Sequence, residues 1–574
     1  MTDRPRSTLL SAHRRLVGGL AAAALAVGGV VATGVVGAGP AGADSLSTAL
    51  TSTTTTLANT VSATGQLIGT TWGDNAADTT ATAGSAGYQA DQDPGSLYSI
   101  ENAIGARSVW WQRDSAKRQI TGQGVGVALL DTGTAAVPGL DGQNKVTYGP
   151  DLSIESNSPD LTHKDTNGHG THLAGIIAAH DPVALTRQNI ATLDPSVQLG
   201  IAPDAELESM KLATTDGSTD VSQVIAALDW ITQHPVTADG TRIRVINLAY
   251  GTDSVQAYQA DPLAAAAENA WKHGIVVVVS GGNKGPDAGR LTDPAMDPYV
   301  LAVGASDGKD TVAGWTYPNV ASFSSSGNAQ RHVDLLAPGR SIVSLRDPGS
   351  YVDRNFPQGR VDGDTAGRLF RGSGTSQSAA VTSGAIALLL QAYPDLTPDQ
   401  VKYILTQTAT PVADSTALTA GAGQLNIAAA LLLAKFMTTP GGSRVISSSV
   451  WGQTWPGSDG HGSIEAARAG NDPLDPNGDV ISGEVDLQGM PWNPATWWAA
   501  SSALTAWNGG QWNGATWTGS TWASYGSWAT SRWDTSRWDT SRWDTSRWDT
   551  SRWDTSRWDT SRWDGTAWAA DNWN

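Results

Sequence analysis

The sequence predicts an α/β fold with a mostly parallel central sheet over residues 96–440, followed by a low-complexity tail of five-residue repeats. Short β-branched runs alternate there with helical patterns, as in parallel strands joined by crossover helices. Most of the apolar runs are continuous rather than alternating, which indicates strands covered on both faces. The 574-residue chain contains no cysteine, so disulfides and thiolate ligation of zinc are both excluded.

The charge of the chain limits the class of partner. The formal net charge is -18 at pH 7, and 16% of the residues are charged. An acidic excess of this kind opposes binding of nucleic acid through bulk electrostatics. We therefore expect no nucleic-acid partner.

Residues 1–43 have the pattern of a secretory signal peptide. Arginines precede an apolar run from Leu16 to about Val36, and Ala41-Gly-Ala43 offers a small-residue cleavage site. A retained membrane anchor is the alternative, because the run is nearly long enough to span a bilayer. The small residues favour cleavage, so we expect a secreted chain, either soluble or attached to the cell surface through its tail.

Residues 44–95 are rich in Thr, Ala, Ser and Gly and contain few large apolar residues. Such a composition cannot bury much of a core. This segment is predicted to be a pro-segment or linker, and it lacks the core of a folded inhibitory domain.

The strand candidates share continuous apolar or β-branched character: Val125–Leu130, Glu206–Lys211, Arg242–Asn247, Ile275–Val279 and Val300–Val303. The helix candidates have apolar residues at three- and four-residue spacings or clear end signals: Val221–Gln233, Pro262–His273, Ser376–Leu390 and a helix that begins at Thr397. Thr397-Pro-Asp-Gln400 is a capping-box pattern with proline at the first helical position.

Two motifs carry a carboxylate and a histidine. Asp131-Thr-Gly133 ends the first strand, at the edge where α/β folds gather functional groups, although an Asp there is usually a turn residue or cap. His169 lies between two glycines at the start of an apolar helix, and glycines permit close approach of another segment. His172 raises the alternative of a metal site. No glutamate occupies the zinc-protease position and no thiol is nearby, so a general base is favoured.

Two further motifs carry an amide and a hydroxyl. A buried strand runs into Gly281-Gly282-Asn283, where the asparagine has either a conformational role or donates to an oxyanion. Gly372-Ser-Gly-Thr-Ser376 leads into a long apolar helix, whose first backbone N–H groups lack intrahelical partners. An N-capping serine is the alternative to a nucleophile.

Together these motifs resemble the subtilisin-like serine proteases over about residues 96–432. The matches are the strand-end Asp131-Thr-Gly, His169-Gly-Thr-His172, Gly282-Asn283 and Gly374-Thr-Ser376. The order Asp, His, Ser is also that of the family. The resemblance implies a three-layer fold, with the mostly parallel sheet as its central layer.

By that resemblance, His169 takes a proton from Ser376 as the serine attacks a peptide carbonyl, and Asp131 orients the imidazole. Asn283, with the backbone N–H of Ser376, forms the oxyanion hole. This chemistry requires no cofactor. A structural calcium ion is compatible with the resemblance, and the insertion at residues 181–198 is the segment where the family often has a calcium loop, but its ligands are not assigned.

The resemblance also implies that an extended polypeptide substrate lies beside Ala249-Tyr250-Gly251 and Gly282 as an added strand. Tyr250 departs from the family's Ser-Leu-Gly pattern, and we expect it to alter the pockets before the scissile bond. Gln377-Ser-Ala-Ala380 replaces the usual Met-Ala-Ser/Thr-Pro, which removes a sulfur that oxidants attack.

After Pro440 the chain is rich in Gly, Ser, Pro and Asn, so residues 441–491 are predicted to be a linker. Residues 492–574 are dominated by tryptophan, which recurs every five residues from Trp507 to Trp573 with a slip of one residue between Trp522 and Trp528. Seven copies of Ser-Arg-Trp-Asp lie within this stretch. A period of five matches neither helix nor strand. The tail is either a disordered low-complexity segment, or a solenoid or ladder of indoles that stacks on sugars or cell-wall polymer.

The favoured hypothesis is a secreted serine endopeptidase of the subtilisin type whose tail serves for attachment. The alternative is a surface-binding protein in which the protease-like domain is an inactive scaffold and the tryptophan repeats bind cell wall or sugars. The presence of all four chemical groups, at Asp131, His169, Asn283 and Ser376, favours the enzyme.

Overall fold

A computed structural model of the chain describes residues 87–312, 315–438, 452–469 and 480–523. The predicted signal peptide, most of the predicted pro-segment and the seven Ser-Arg-Trp-Asp copies lie outside the described residues. Within the described part of the chain, no helix is both long enough and apolar enough to cross a membrane.

The main sheet consists of strands that lie in the order β2-β3-β1-β4-β5-β6-β7, with β8 paired to β6. Neighbouring strands run parallel except β6 and β7. The strands are β1 (Gly126–Asp131), β2 (Val146–Tyr148), β3 (Glu206–Lys211), β4 (Ile243–Leu248), β5 (Val276–Ser280), β6 (Leu301–Val312), β7 (Trp315–Val320) and β8 (Leu335–Pro338). Every residue of β1 and β4 is buried, as expected for strands covered on both faces.

Two smaller sheets accompany it. An antiparallel hairpin pairs β9 (Ile342–Leu345) with β10 (Leu369–Gly372) and leads directly into the helix that carries Ser376. Near the C-terminus of the described chain, three two-residue strands form an antiparallel sheet: β11 (Trp507–Asn508), β12 (Gln511–Trp512) and β13 (Ala515–Thr516).

The helices are α1 (Leu97–Ala103), α2 (Ala106–Trp110), α3 (His169–Ala178), α4 (Val221–Gln233), α5 (Pro262–Lys272), α6 (Tyr351–Asn355), α7 (Thr375–Ala392), α8 (Pro398–Thr408), α9 (Ala417–Ala420), α10 (Ile427–Thr438), α11 (Ile464–Arg468) and α12 (Pro494–Ser502). Helix α7 packs against β4, β5, β6, β8 and α3, whereas α4 and α5 form a second packed pair. The predicted fold class, with its mostly parallel central sheet, is confirmed.

Each predicted strand and helix is present, with ends displaced by one or two residues except at β6. That strand was predicted to end at Val303 and continues to Val312, because its second half forms an antiparallel pair with β7. The predicted capping box is also present. The hydroxyl of Thr397 accepts from the backbone N–H of Gln400, and the amide oxygen of Gln400 accepts from the backbone N–H of Thr397.

The C-terminal region differs from the predicted linker and tail. Residues 452–469 and 480–523 pack against α4 and α5, and their apolar side chains belong to the main core. The buried members include Ile464, Leu487, Trp497, Trp512 and Trp522. Hydrophobic pattern alone gave no sign of this, because these short elements have neither helical nor strand periodicity over any useful length.

Candidate active site

The carboxylate and the histidine singled out in the sequence are in direct contact. Asp131 is the last residue of β1, and His169 is the first residue of α3. Nδ1 of His169 lies 2.7 Å from Oδ1 of Asp131, and both side chains are about 99% buried. A carboxylate can only accept, so Nδ1 carries the proton and Nε2 is left as the basic atom.

Glycines on both segments permit this contact. A Cβ on Gly170 would lie 2.0 Å from the backbone oxygen of Gly133, which is closer than any real contact. Gly133 itself has φ of +111°, a value that glycine adopts at no steric cost. The glycines beside Asp131 and His169 thus let the strand end and the helix start approach each other, as the sequence predicted.

Asp165 organises the same junction and was missed in the sequence. Its carboxylate accepts from Thr132 Oγ1, from Gly168 N and from Thr171 N, each at 2.7 Å. Thr132 follows Asp131, whereas Gly168 and Thr171 flank His169, so one buried carboxylate joins the segments that carry Asp131 and His169. Burial raises the pKa of Asp165. An aspartate in a polar turn just before a helix was the available signal.

The ring of His172 makes hydrogen bonds within the fold. Its Nε2 donates to the backbone oxygens of Ile342 and Phe370, at 3.3 and 3.2 Å. Burial, followed by the nearby His169, lowers its pKa to about 3, so the ring is neutral. His172 therefore fixes α3 to the β9–β10 hairpin, which ends four residues before Ser376. No group of three or more His, Asp or Glu side chains in the described chain is arranged to hold a metal ion.

Ser376 lies in the first turn of α7 and is not its N-cap. The cap residue is Gly374, which has no side chain with which to cap the helix. The Ser376 side chain is 1% exposed, and its Oγ has no hydrogen-bond partner among the described residues. The hydroxyl therefore has no structural bond to give up, and it stands beside N–H groups that lack intrahelical partners.

The amide of Asn283 is oriented by the residue that precedes Ser376. Oδ1 of Asn283 accepts from the backbone N–H of Thr375 at 2.9 Å and from its hydroxyl at 3.1 Å. The same hydroxyl accepts from Gly282 N at 3.2 Å. With Oδ1 held in this way, the amide NH₂ points away from Thr375. Thr375 is a second positioning residue that the sequence did not reveal, although it stands within the quoted motif.

The predicted substrate-binding residues lie at the carboxyl ends of neighbouring strands. Ala249, Tyr250 and Gly251 follow β4, and Gly282 lies two residues after the end of β5. Tyr250 belongs to the main core and has no exposed surface. Its effect on substrate pockets stays a prediction.

Gln377, where the family has methionine, is 1% exposed. Neither its amide nitrogen nor its amide oxygen has a hydrogen-bond partner in the described part of the chain. The residue after Ser376 is therefore a buried, unsatisfied amide.

Comparisons with known proteins show which family the chain is similar to. The subtilase family profile matches residues 122–427, which include Asp131, His169, Asn283 and Ser376. Serine protease AprX of Bacillus subtilis (strain 168) is 35% identical over 312 residues, or 54% of this chain and 66% of that protein. Subtilisin DY of Bacillus licheniformis is 32% identical over 311 residues, or 54% of this chain and 91% of that protein.

Among solved structures, the crystal structure of a cold-adapted subtilisin-like serine proteinase is similar at 26% sequence identity. The match covers 57% of this chain and 98% of that one, with a TM-score of 0.39. The fold described above rests on the strand order of this chain itself. Residues 452–523 lie beyond the family match.

Proposed function

The chain belongs to the subtilase family of serine-type endopeptidases, and we propose that it hydrolyses peptide bonds through an acyl-enzyme formed on Ser376. His169 is the general base and Asp131 orients it. The observation that carries this proposal is the buried 2.7 Å contact between His169 Nδ1 and Asp131 Oδ1 at the carboxyl end of β1. Through His172, helix α3 is hydrogen-bonded to the β9–β10 hairpin that precedes Ser376. Asn283 is hydrogen-bonded to Thr375, the residue before Ser376.

In the first half-reaction, Ser376 Oγ attacks the peptide carbonyl carbon and its proton passes to His169 Nε2. Asp131 stabilises the imidazolium that results, because its carboxylate already accepts from Nδ1. The imidazolium then gives the proton to the leaving amine, and the C–N bond breaks. In the second half-reaction, water attacks the acyl group by the same route and releases Ser376.

The tetrahedral intermediate carries negative charge on the former carbonyl oxygen. Asn283 Nδ2 and the backbone N–H of Ser376 are the proposed donors to that oxygen. The support is that Asn283 Oδ1 is held by the backbone N–H and the hydroxyl of Thr375, the residue that precedes Ser376. Donors held in place before the reaction cost no reorganisation when the charge develops.

The substrate is a polypeptide in extended conformation, bound as an added strand beside residues 249–251. We further propose that the chain is exported, since residues 1–43 have the composition of a signal peptide. The chemistry calls for no cofactor. Structural calcium remains a proposal without assigned ligands.

The alternative of a sugar-binding protein with an inactive protease scaffold receives no support from the described tail. Of the seven described tryptophans in residues 492–523, four have indoles that are at most 5% exposed, at positions 492, 497, 512 and 522, and the other three are partly buried. A ring buried against the protein cannot stack on a sugar. The Ser-Arg-Trp-Asp copies, through which attachment is predicted, lie outside the described residues, so the attachment hypothesis stays a prediction.

Labelling with a fluorophosphonate probe tests the proposal. The secreted wild-type chain should be labelled once, Ser376→Ala should not be labelled, and His169→Ala should react about 10³-fold more slowly. Circular dichroism of each variant controls for folding. A folded wild-type chain that resists labelling, or equal labelling of Ser376→Ala, would overturn the proposal.

A further inference from the structure

The loop beside which the substrate is proposed to bind is bonded on one side to the segment that follows Asn283. This wall loop, residues 249–261, connects β4 to α5 and has no regular secondary structure. Thr252 and Asp293 exchange two backbone hydrogen bonds of 3.0 Å. Lys284, next to Asn283, forms an ion pair with Asp253. The wall loop and the turn that bears the oxyanion donor are therefore one connected unit.

The other side of the wall loop is fastened to the C-terminal region. The hydroxyl of Thr252, one residue after Gly251, donates to the backbone oxygen of Ala467 at 2.7 Å, and it is fully buried. Gln256 forms a reciprocal pair with Ser463: its Oε1 accepts from Ser463 N at 2.8 Å and its Nε2 donates to Ser463 O at 3.2 Å.

The segment that makes these contacts has its own anchor on α4. Arg468, at the end of α11, pairs with Asp220, the N-cap of α4, with Nε–Oδ1 at 2.6 Å and Nη2–Oδ2 at 3.3 Å. Both side chains are 0% exposed. A buried pair of this kind is costly to break, because either partner alone would be an uncompensated charge. The segment is thus fixed independently of the wall loop.

We propose that residues 452–469 form a brace that determines the affinity for extended substrates. The brace holds the wall loop in the position where a substrate strand pairs with residues 249–251. It lies outside the residues matched by the family profile, so it is an addition to the shared domain. The inference rests on the proposed function, since it takes the substrate to bind beside that loop.

The brace should affect long and short substrates differently. A tetrapeptide amide pairs with the wall loop over several residues, whereas an ester of a single acylated amino acid reaches only the pocket next to Ser376. Loss of one or two hydrogen bonds that support the wall should therefore raise KM for the tetrapeptide. The effect expected from hydrogen bonds of this kind is about three- to ten-fold.

The test uses the full secreted chain, with concentrations corrected by fluorophosphonate titration. Gln256→Met removes the reciprocal pair with Ser463, together with the 2.9 Å hydrogen bond from Nε2 to Asp261 Oδ2 inside the wall loop. Thr252→Val removes the hydroxyl at nearly constant volume and leaves that internal bond in place. Gln233→Met is the matched control. Gln233 makes the same kind of reciprocal pair with the backbone of Trp507, where the C-terminal region meets α4 away from the wall loop.

We expect Gln256→Met and Thr252→Val to raise KM for the tetrapeptide amide, with kcat and the constants for the ester within about two-fold of wild type. Gln233→Met should behave as wild type on both substrates. An unchanged tetrapeptide KM in the first two variants would overturn the inference, as would an equal rise in Gln233→Met. If the wild-type chain is not labelled at all, the proposed function fails instead, so the two failures are distinguishable.

Discussion

For individual residues, Gln377 is the buried polar side chain that has no role in the proposed chemistry. A second glutamine of the same helix has the opposite environment. Gln391, at the other end of the same helix, accepts from three backbone N–H groups, of Thr121, Gly122 and Gln123, and donates twice. A buried amide with partners stabilises a fold, whereas one without partners costs about 1 to 3 kcal/mol.

Gln377→Met should therefore raise the free energy of unfolding by about 1 to 3 kcal/mol. It should also make the enzyme sensitive to peroxide, since a thioether is introduced beside Ser376. Urea unfolding and residual activity after peroxide treatment measure the two effects. Gln391→Met is the control and should lower stability, because it leaves three buried backbone N–H groups without an acceptor. A destabilised Gln377→Met would contradict the account.

The sequence identified the residues that do the proposed chemistry but not those that position them. Asp131, His169 and Asn283 stand in short motifs whose glycines and strand ends are visible in the chain. Asp165 joins the nearby N–H groups of Gly168 and Thr171 to the hydroxyl of Thr132, which lies far from them in the sequence. Thr375 likewise holds the amide of Asn283, which is distant in the sequence. These long-range contacts depend on how the segments fold together, and no local pattern encodes them.

At the scale of elements, the five-residue tryptophan period has a simple structural explanation. In the described repeats two residues form a strand and the next residues form a turn, so the chain reverses within each repeat. Trp507 pairs with Trp512, and Trp517 pairs with Trp522. A five-residue period therefore brings indoles together although it matches neither 3.6 nor 2. Helix and strand templates could not detect this.

The tryptophan cluster is attached to α4 through one buried carboxylate. Asp229 accepts from Trp497 Nε1 and Trp512 Nε1, both at 2.9 Å, and from Ser501 Oγ at 2.5 Å. Burial raises the pKa of Asp229 from 3.8 to about 6, and the three hydrogen bonds offset that effect only in part. The folded protein consequently binds a proton at Asp229 more tightly than the unfolded chain does.

This shift predicts a pH dependence of stability. The stabilisation that the folded protein gains from the raised pKa of Asp229 is fully present below about pH 4, and it is lost as the pH rises through about 6. The difference in unfolding free energy between wild type and Asp229→Asn should fall by about 3 kcal/mol from pH 4 to pH 7. Urea unfolding in the Ser376→Ala background, which avoids self-digestion, measures it.

If the difference between wild type and Asp229→Asn is constant with pH, or grows as the pH rises, Asp229 does not hold the cluster in the way described.

At the scale of the whole molecule, the α/β fold with its mostly parallel sheet could be predicted because buried strands and amphipathic helices leave strong local patterns. The C-terminal end of the folded unit could not be predicted. The predicted end at Pro440 follows the change in composition, whereas the main core continues to Trp522. Glycine, serine and proline suggest a linker, but here they form turns that bring short apolar segments onto α4 and α5.

Ser376 should form a covalent acyl intermediate during turnover. Rapid acid quench of the purified chain during hydrolysis of an activated ester, followed by peptide mapping, detects it. We predict one acyl group per chain, on the peptide that contains Ser376, together with a stoichiometric burst of leaving group that His169→Ala lacks. Turnover without an adduct on Ser376, or an adduct that persists in Ser376→Ala, would contradict the account.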